Sequence, residues 1–305
     1  MIPNKLQRGD TIGVISPSSP LLESKLEDIN KSKTLMENYG FKVKFAKNAF
    51  SNTLGYSATV KEKVDDIHEM FLDKEVKAIF SSTGGNNSSS LFEYLDYEII
   101  KNNPKIICGF SDFTSLTNVI YQKTGLVTFN GATFKSLTSW ETDYGYKEVI
   151  KRFCEDDLSL GQDDDEYITI KDGVAEGKLI GGNLNLFSSL ISGKYKVDCK
   201  DKILFIEDTG FEAEPADLSR YLYHMKQNGA FDEISGLWIG NYEHESGISI
   251  ERVVMDVLGD EYNFPIIKSN NFGHTDRKTV IPIGIMARIN TKDKCKIKLL
   301  EKCVI

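Results

Sequence analysis

Residues 76–110, VKAIFSSTGGNNSSSLFEYLDYEIIKNNPKIICGF, contain the pattern that decides the fold. An apolar run ends in serines and glycines, a segment with helical spacing follows, and a second apolar run closes the stretch. Short apolar runs bounded by turn residues indicate buried strands, and a strand, helix, strand succession indicates parallel pairing. The stretch therefore predicts a mostly parallel sheet with helices on both faces.

The same alternation extends toward the N-terminus. Residues 10–20, DTIGVISPSSP, and residues 41–46, FKVKFA, are typical of strands. Between them, residues 21–40 have helical spacing and end in a glycine suited to a helix C-cap. Residues 61–75 predict an amphipathic helix, because apolar side chains recur on one face at Val64, Ile67, Met70 and Phe71.

The pattern changes beyond about residue 135. Residues 154–170, CEDDLSLGQDDDEYITI, carry a dense acidic patch without the Asp/Asn alternation and closing Glu of an EF-hand loop, so a solvated linker is favoured over a calcium site. From Gly177 onward, β-rich runs alternate with helical stretches at 218–227 and 250–258. We predict an N-terminal α/β domain at 1–135, a linker region at 136–176 and a C-terminal α/β domain at 177–305.

Composition narrows the function classes. The 305 residues carry a formal net charge of -8 with no Lys/Arg cluster, which argues against a nucleic-acid partner. No run approaches the roughly 20 apolar residues that cross a bilayer, and no apolar secretory core follows Met1, so we expect a cytoplasmic protein without a membrane partner. The cysteines are odd in number and widely spaced, which favours reduced thiols over a disulfide framework or zinc site: Cys108, Cys154, Cys199, Cys295 and Cys303.

Ser111 is the first candidate for chemistry, in the strand–turn–helix segment GFSDFTSL at 109–116. A serine at a sharp strand-to-helix turn faces the crevice at the carboxyl ends of the strands, where helix N–H groups can stabilise an oxyanion. The pattern G-x-S-x-G is incomplete, because Phe113 replaces its last glycine. The local sequence is equally consistent with Ser111 or Asp112 as a helix N-cap.

A serine nucleophile needs a base, and the chain has four histidines. His274 lies in the polar loop NNFGHTDRKTVIPIG, and loops held by strands commonly carry catalytic groups, so it is favoured over His244. His68 is expected on an exposed helix surface, and His224 is expected to be structural or half exposed.

The remaining candidates are carboxylates and glycines. Glu207 and Asp208 close the apolar run KILFIED. A carboxylate buried at the end of this run would need a partner, whereas one that marks the strand end in solvent would not, and both interpretations remain open. The segments STGGNNSSS and LIGGN are each consistent with a tight turn, an oxyanion donor or a weak nucleotide site, although both lack the lysine of a P-loop.

Seven separated segments together resemble the LD-carboxypeptidase family of serine peptidases, which includes the microcin C immunity peptidases. They follow one another in the family's order: GDTIGVISPSSP, STGGNNSSSLFEYLDYEIIKNNPKIICGFSDFTSL, TGLVTFNGATF, GKLIGGNLNLFSSLISG, KILFIEDTG, GAFDEISGLWIGNY and NFGHTDRKTVIPIGIMARIN. The resemblance implies an α/β fold, with an N-terminal flavodoxin-like parallel-sheet domain, a smaller C-terminal α/β domain and the site between them.

The family motifs also imply the site residues. Ser111 would be the nucleophile, His274 the base and Glu207 the carboxylate that orients it, with the N–H groups of Asp112 and Gly85 as oxyanion donors. The implied reaction is amide hydrolysis through an acyl-enzyme without a metal or organic cofactor. The implied substrate is a cytoplasmic murein tetrapeptide that loses its terminal D-alanine. An alternative substrate is a microcin-type aminoacyl-nucleotide, and an alternative function is that of a non-hydrolytic binding module. The resemblance further implies a homodimer.

The chain departs from the family pattern in places. Residues 165–178 contain no tryptophan, whereas the immunity peptidases tend to carry an aromatic there to stack on a nucleobase. Trp140 and Tyr167 are the nearby aromatics, so the murein substrate is favoured without excluding the other. Phe211 stands where family members often have an acidic residue, and Arg220 falls near a family arginine.

Overall fold

The computed structural model describes residues 1–138, 143–155 and 157–305, so Trp140 lies outside the described residues. The described strands form a six-stranded and a seven-stranded sheet, here called the N-terminal and the C-terminal sheet. The strands are β1 (Thr11–Ile15), β2 (Lys42–Phe45), β3 (Val76–Ser81), β4 (Ile106–Gly109), β5 (Thr128–Asn130), β6 (Ile168–Lys171), β7 (Val174–Asn183), β8 (Lys202–Glu207), β9 (Gly236–Ile239), β10 (Ile266–Lys268), β11 (Ile281–Ile283), β12 (Met286–Asn290) and β13 (Ile297–Leu299). The α-helices are α1 (Leu26–Tyr39), α2 (Val60–Leu72), α3 (Tyr97–Asn102), α4 (Phe113–Thr124), α5 (Tyr144–Ile150), α6 (Leu184–Ser188), α7 (Pro215–Gln227), α8 (Ala230–Glu233) and α9 (Ile250–Leu258).

The N-terminal sheet has the order β11-β5-β4-β3-β1-β2. Strands β1 to β5 pair in parallel, and their order is that of the flavodoxin-like fold. The predicted fold class is therefore confirmed. In such sheets the carboxyl ends of the strands form the crevice where ligands bind, so the turns after β3 and β4 lie at the functional edge.

Local sequence explains why the helices begin and end where they do. Gly40 ends α1 in the left-handed conformation, with a φ of 111°, as its C-cap position predicts. Thr59 and Glu62 form a capping box at the start of α2. The apolar stripe predicted for α2 is confirmed, because all four side chains are buried against the core: Val64, Ile67, Met70 and Phe71.

The segment with helical spacing inside residues 76–110, LFEYLDYEIIKNN, does not form one continuous helix. A short 3-10 turn covers Ser88–Leu91, and α3 begins only at Tyr97. The side chain of Asp96 accepts hydrogen bonds from the N–H groups of Glu98 and Ile99. Asp96 is thus a helix N-cap, which starts a new helix where spacing alone suggested continuation.

The C-terminal sheet has the order β13-β12-β7-β8-β9-β10-β6. Its four central strands, β7 to β10, are parallel, while β6, β12 and β13 pair antiparallel. Glu207 is the last residue of β8, at the carboxyl end of this parallel core. The predicted helices at 218–227 and 250–258 correspond to α7 and α9.

The β-rich run TVIPIGIMARIN connects the two sheets. It forms two strands, of which β11 pairs with β5 of the N-terminal sheet and β12 pairs with β7 of the C-terminal sheet. The chain turns between them at Gly284, which has a φ of 92°. Because β11 lies in the last quarter of the chain yet completes the first sheet, the division at residues 135 and 176 stays a prediction.

The acidic segment is not simply a solvated linker, contrary to our expectation. The side chain of Asp165 is 1% exposed and pairs with Arg277, while Asp164 pairs with the same guanidinium at 2.6 Å. Asp165 also accepts hydrogen bonds from the Tyr144 hydroxyl and the Asn271 side chain. Long-range partners bury this carboxylate, and a charge pattern cannot reveal them.

Within the described part of the chain, no helix has the length and apolarity needed to cross a membrane.

Candidate active site

Ser111 lies in the turn between β4 and α4. Its φ of 61° is a left-handed conformation that L-residues rarely adopt, and it is typical of a nucleophile elbow. The departure at Phe113 is accommodated, because that side chain is buried at the place where a side chain on Gly109 would lie. Ser111 is thus held in a strained turn at the crevice edge, which a simple helix cap does not require.

His274 lies between Ser111 and Glu207. Its Nε2 is 3.2 Å from the Ser111 Oγ, and its Nδ1 is 2.8 Å from Glu207 Oε2. The backbone N–H of His274 also donates to Glu207 Oε2, at 3.1 Å. His274 is therefore within hydrogen-bond range of both of the other residues predicted from the family motifs, although the three are up to 163 positions apart in the chain.

The Glu207 carboxylate determines which imidazole nitrogen carries the proton. An ionised carboxylate only accepts hydrogen bonds, so the Nδ1 facing it must be the donor. In the neutral imidazole this leaves the Nε2 lone pair directed at the Ser111 hydroxyl. That is the tautomer a general base needs in order to take a proton from serine.

Glu207 is buried, with its side chain 1% exposed, and Gly273 allows it to approach the histidine loop. Gly273 has a φ of 100°, and a Cβ there would lie 2.6 Å from Glu207 Oε2. Only glycine fits this close approach without strain. Of the two interpretations of Glu207, the structure thus supports a buried carboxylate that has a partner, His274.

The charges around His274 act in opposite directions. Burial lowers the pKa of His274, but the charge of Glu207 and the hydrogen bond to it more than compensate, so the pKa lies above its usual value. Lys278 opposes this rise and Asp208 adds to it. Burial, followed by the adjacent charge of Glu207, raises the pKa of Asp208 to about 6.

Asp112 occupies the N-cap position of α4 but does not cap it through its side chain. Its buried Oδ2 accepts hydrogen bonds from the Ser88 N–H at 2.8 Å and the Ser18 hydroxyl at 2.5 Å. The Ser88 hydroxyl in turn donates to the Asp112 carbonyl. The Asp112 side chain therefore connects the turn that contains Ser111 with two other loops, the one after β3 and the one after β1.

The double-glycine loop lies against Ser111. A Cβ on Gly84 would be 3.2 Å from the Ser111 Oγ, and one on the next residue, Gly85, would collide with Ser18 and Ser19. No acceptor within residues 1–138, 143–155 and 157–305 takes the backbone N–H of Asp112 or of Gly85. Both N–H groups are thus available to donate a hydrogen bond to an oxyanion, as an oxyanion hole requires.

These residues open onto a cleft of about 600 Å³. Its walls include Lys25 and Lys135, and Lys135 pairs with Asp28 at 3.5 Å. Burial and then the charge of Lys135 lower the pKa of Lys25. Among the described residues, no group of three His, Cys, Asp or Glu side chains is placed to hold a metal ion.

The other histidines have different partners. His244 pairs with Glu214 at 3.1 Å, and His224 is exposed on α7. His68 is partly buried rather than exposed as expected, because its Nε2 accepts the N–H of Asp96. Among the described histidines, His274 is set apart from these three by its contacts with Ser111 and Glu207.

The departures from the family pattern also have defined positions. Phe211 is 97% exposed, in the loop after β8. Arg220 is largely exposed and pairs with Asp217 at 2.9 Å, one turn away on α7. The hydroxyl of Tyr167 donates to the Leu160 carbonyl and accepts from the Asn271 amide, so its polar end is engaged within the protein.

Sequence reasoning missed several residues that hold the site together. Ser18 and Ser88 bind Asp112, and Phe110 packs its ring edge-on against the His274 ring at 5.1 Å. Lys278 is 4% exposed and lines the same cleft. Phe110 and Lys278 are close in sequence to Ser111 and His274, but nothing in the sequence indicated their contacts, and Ser18 and Ser88 are distant in sequence from both residues.

The chain matches the LD-carboxypeptidase N-terminal domain over residues 12–131 and the LD-carboxypeptidase C-terminal domain over residues 176–289. It belongs to the LD-carboxypeptidase family. The resemblance inferred from the seven segments is thereby confirmed, and the family membership supports a peptidase hydrolase. A relative in Bacillus subtilis strain 168, a probable murein peptide carboxypeptidase, is 33% identical over 96% of this chain and 92% of its own length.

Solved structures agree with the fold. An MccF-like protein from Bacillus anthracis strain Ames superposes with a TM-score of 0.90 at 32% identity, over 98% of this chain and 99% of its own. MccF in complex with glutamyl sulfamoyl guanosine superposes equally well, with a TM-score of 0.90 at 26% identity over 100% of this chain and 99% of its own. This LD-carboxypeptidase family chain is therefore similar both to a probable murein peptide carboxypeptidase and to MccF.

Proposed function

We propose that the protein is a serine LD-carboxypeptidase that removes the terminal D-alanine from murein tetrapeptides in the cytoplasm. The observation that carries the proposal is the position of His274, whose two ring nitrogens face the Ser111 hydroxyl and the buried Glu207 carboxylate. The similarity to the probable murein peptide carboxypeptidase of Bacillus subtilis supports the choice of substrate.

In the first half of the proposed reaction, the Ser111 Oγ attacks the carbonyl carbon between the diamino acid and D-alanine. His274 Nε2 takes the hydroxyl proton, and Glu207 stabilises the imidazolium that forms. The negative charge on the former carbonyl oxygen is held by the N–H groups of Asp112 and Gly85. His274 then returns the proton to the amine nitrogen, the C–N bond breaks and D-alanine leaves.

In the second half, water hydrolyses the acyl-enzyme. His274, neutral again after losing its proton to the leaving group, removes a proton from the attacking water. The same donors hold the second oxyanion, and collapse of this intermediate releases Ser111 with its proton restored. Both halves of the reaction need one base that is neutral before each attack and protonated after it. The tautomer that Glu207 enforces allows His274 to act as this base.

The cleft walls support a substrate that carries carboxylates. Four lysines line the cleft against two carboxylates, although the whole chain has a net charge of -8: Lys25, Lys31, Lys135 and Lys278 against Asp28 and Glu212. Like charges concentrated in a ligand cleft favour an anionic ligand. A murein tetrapeptide ends in the free carboxylate of D-alanine, which matches this requirement.

A second candidate is hydrolysis of a microcin-type aminoacyl-nucleotide. The observation in its favour is the TM-score of 0.90 with MccF bound to glutamyl sulfamoyl guanosine. Against it, Tyr167 is not among the residues that line the cleft of Ser111 and His274, so its ring is not placed to stack on a nucleobase there. We therefore rank the tetrapeptide first.

The test is a parallel assay of both substrates. Pure protein is incubated with L-Lys or meso-diaminopimelate tetrapeptide and, separately, with an aminoacyl-sulfamoyl adenosine, with Ser111→Ala as the matched inactive variant. Release of D-alanine alone by the wild type is expected, with no release by Ser111→Ala. Release from the adenosine compound alone would favour the second candidate, and undiminished turnover by Ser111→Ala would remove Ser111 as nucleophile.

We further propose a homodimer, as the family resemblance implies. Light scattering of the purified chain measures its mass directly, and a single-chain mass at micromolar concentration would contradict this part of the proposal.

A further inference from the structure

Lys278 is a buried cation in the loop that carries His274. It is 4% exposed and lines the cleft together with Ser111 and His274. Burial lowers the pKa of Lys278 to about 8, against the charges of Glu207 and Asp276, which raise it. Burying an ammonium group is unfavourable unless specific partners compensate, so its contacts indicate its use.

The ammonium group of Lys278 bonds to the backbone on both sides of His274. Its Nζ donates to the Gly273 carbonyl at 3.1 Å and to the Thr275 carbonyl at 2.5 Å. Residues 273 and 275 flank the histidine, so one side chain restrains the backbone carbonyls of the residue before it and of the residue after it. The orientation of the imidazole depends on that backbone, as does the His274 N–H bond to Glu207.

Lys278 also connects this loop to the turn of the nucleophile. Its Nζ lies 4.5 Å from the centroid of the Phe110 ring, a cation–π contact. Phe110 directly precedes Ser111, and its ring packs edge-on against His274 at 5.1 Å. The lysine, the phenylalanine and the histidine thus form one packed unit across the boundary between the two sheets.

We propose that Lys278 is a positioning residue, which holds the His274 loop against the Phe110–Ser111 turn and keeps the His274 Nε2 within reach of the Ser111 hydroxyl. The proposal rests on the proposed function only for His274 as the base. Misplacement of a catalytic group by about 1 Å can cost about 100-fold in rate, so a loop restraint at this position has a direct effect on turnover.

The charge of Lys278 has a second consequence for His274. The charged groups that face this histidine are Glu207 and Asp208, which favour imidazolium, and Lys278, which opposes it. Lys278 itself faces Glu207 and Asp276. Removing its charge therefore raises the pKa of His274 and reduces the fraction of neutral base at a given pH.

The chain offers a closely matched control. Lys105 is 8% exposed, donates to the backbone carbonyls of Met70 and Asp73, and has a pKa that burial lowers to about 8. It precedes β4, at the opposite end of that strand from Ser111. Lys105→Met thus removes a buried, carbonyl-bonded ammonium of the same kind without touching the site.

The experiment compares Lys278→Met, Lys278→Arg and Lys105→Met with the wild type. For Lys278→Met we expect kcat about 10- to 100-fold lower, KM within about twofold, and the acid limb of kcat/KM moved to higher pH. Lys278→Arg, which keeps the charge and the donors, should recover part of the rate. Lys105→Met should keep both kcat and the acid limb. A raised KM with an unchanged kcat, or an unchanged kcat and acid limb in folded Lys278→Met, would overturn the proposal.

A second measurement does not depend on turnover. The His274 ring is titrated by NMR in Ser111→Ala protein, with and without Lys278→Met, and each spectrum also reports whether the protein is folded. A higher His274 pKa in the double variant is expected, and an unchanged pKa would contradict the electrostatic part. Failure of the proposed function would instead appear as inactivity of the wild type on both substrates, with the titration unaffected.

Discussion

The two sheets contribute to the candidate site in different ways. The N-terminal sheet provides Ser111, Asp112 and the Gly84–Gly85 loop from turns that follow neighbouring parallel strands, β3 and β4. The C-terminal side provides Glu207 and His274, which are 67 positions apart and meet only through tertiary contacts. The proposed nucleophile, Ser111, is thus set by a local backbone conformation, and the proposed base, His274, by long-range hydrogen bonds.

This difference teaches where each kind of substitution should act. On the nucleophile side, the φ of 61° at Ser111 stores strain that a change of side chain alters directly. On the base side, rate depends on whether Glu207, Gly273 and Lys278 keep the imidazole in place. Substitutions at the base side should therefore act on the rate, and substitutions of the strained turn should act on stability as well as on the rate.

Glu207→Gln should have the largest effect on the base side. An amide cannot enforce the donor role of the His274 Nδ1, so the productive tautomer is lost and kcat should fall about 10⁴-fold. The measurement is steady-state hydrolysis of the tetrapeptide. The matched control is Glu148→Gln, which removes another fully buried carboxylate, on α5, and should leave kcat unchanged. A kcat within tenfold of wild type in Glu207→Gln would break the comparison.

The pH dependence should show activity and stability moving in opposite directions. Because the pKa of His274 is raised, kcat/KM should fall about tenfold per pH unit below that pKa, where the base is protonated. A raised folded-state pKa contributes stability that is complete below the unfolded value of about 6.5 and is lost as pH rises through the folded pKa.

The checks are a pH–rate profile and thermal unfolding of wild type and His274→Gln at several pH values. The loss of stability in His274→Gln should be larger at acid pH than at alkaline pH. His244→Gln, which removes a histidine paired with Glu214, should keep the wild-type acid limb. The same acid limb in an active His274 variant would contradict the assignment of the base.

The smallest effect concerns the strained turn. Ser111→Gly and Ser111→Ala both lack the hydroxyl, so their difference isolates the cost of a Cβ at a φ of 61°. The glycine variant should be more stable by about 1 kcal/mol, or about 2 °C in Tm. Ser115, inside α4, supplies the reverse control, because alanine should be the more stable variant there by a similar amount. Equal Tm values for the two Ser111 variants would show that the turn is not strained.

Local patterns predicted more of the N-terminal sheet than of the other. Spacing alone predicted the buried face of α2 and the end of α1 at Gly40, because both depend on residues within a few positions of each other. It missed the N-cap at Asp96, which a single side chain creates within an otherwise helical pattern. It also could not predict that β11 leaves its neighbours in sequence to pair with β5.

The site illustrates the same limit. Ser111 was visible as a serine at a strand-to-helix turn, but its spacing did not separate a nucleophile from a cap. Glu207 and His274 were selected by resemblance to a family, since no periodicity links residues 67 positions apart. Ser18, Ser88 and Lys278 carried no signal, because a buried hydroxyl or ammonium is recognised only by its partners.

By itself, the sequence determined the order of strands and helices and placed Ser111 in a sharp turn, because apolar periodicity, caps and glycines act over a few residues. Only the tertiary structure decided that Asp165 is buried, that Lys278 binds the carbonyls beside His274, and that the imidazole bridges Ser111 and Glu207. These contacts depend on how two sheets are packed together, and their free energy comes from groups that are distant in the chain.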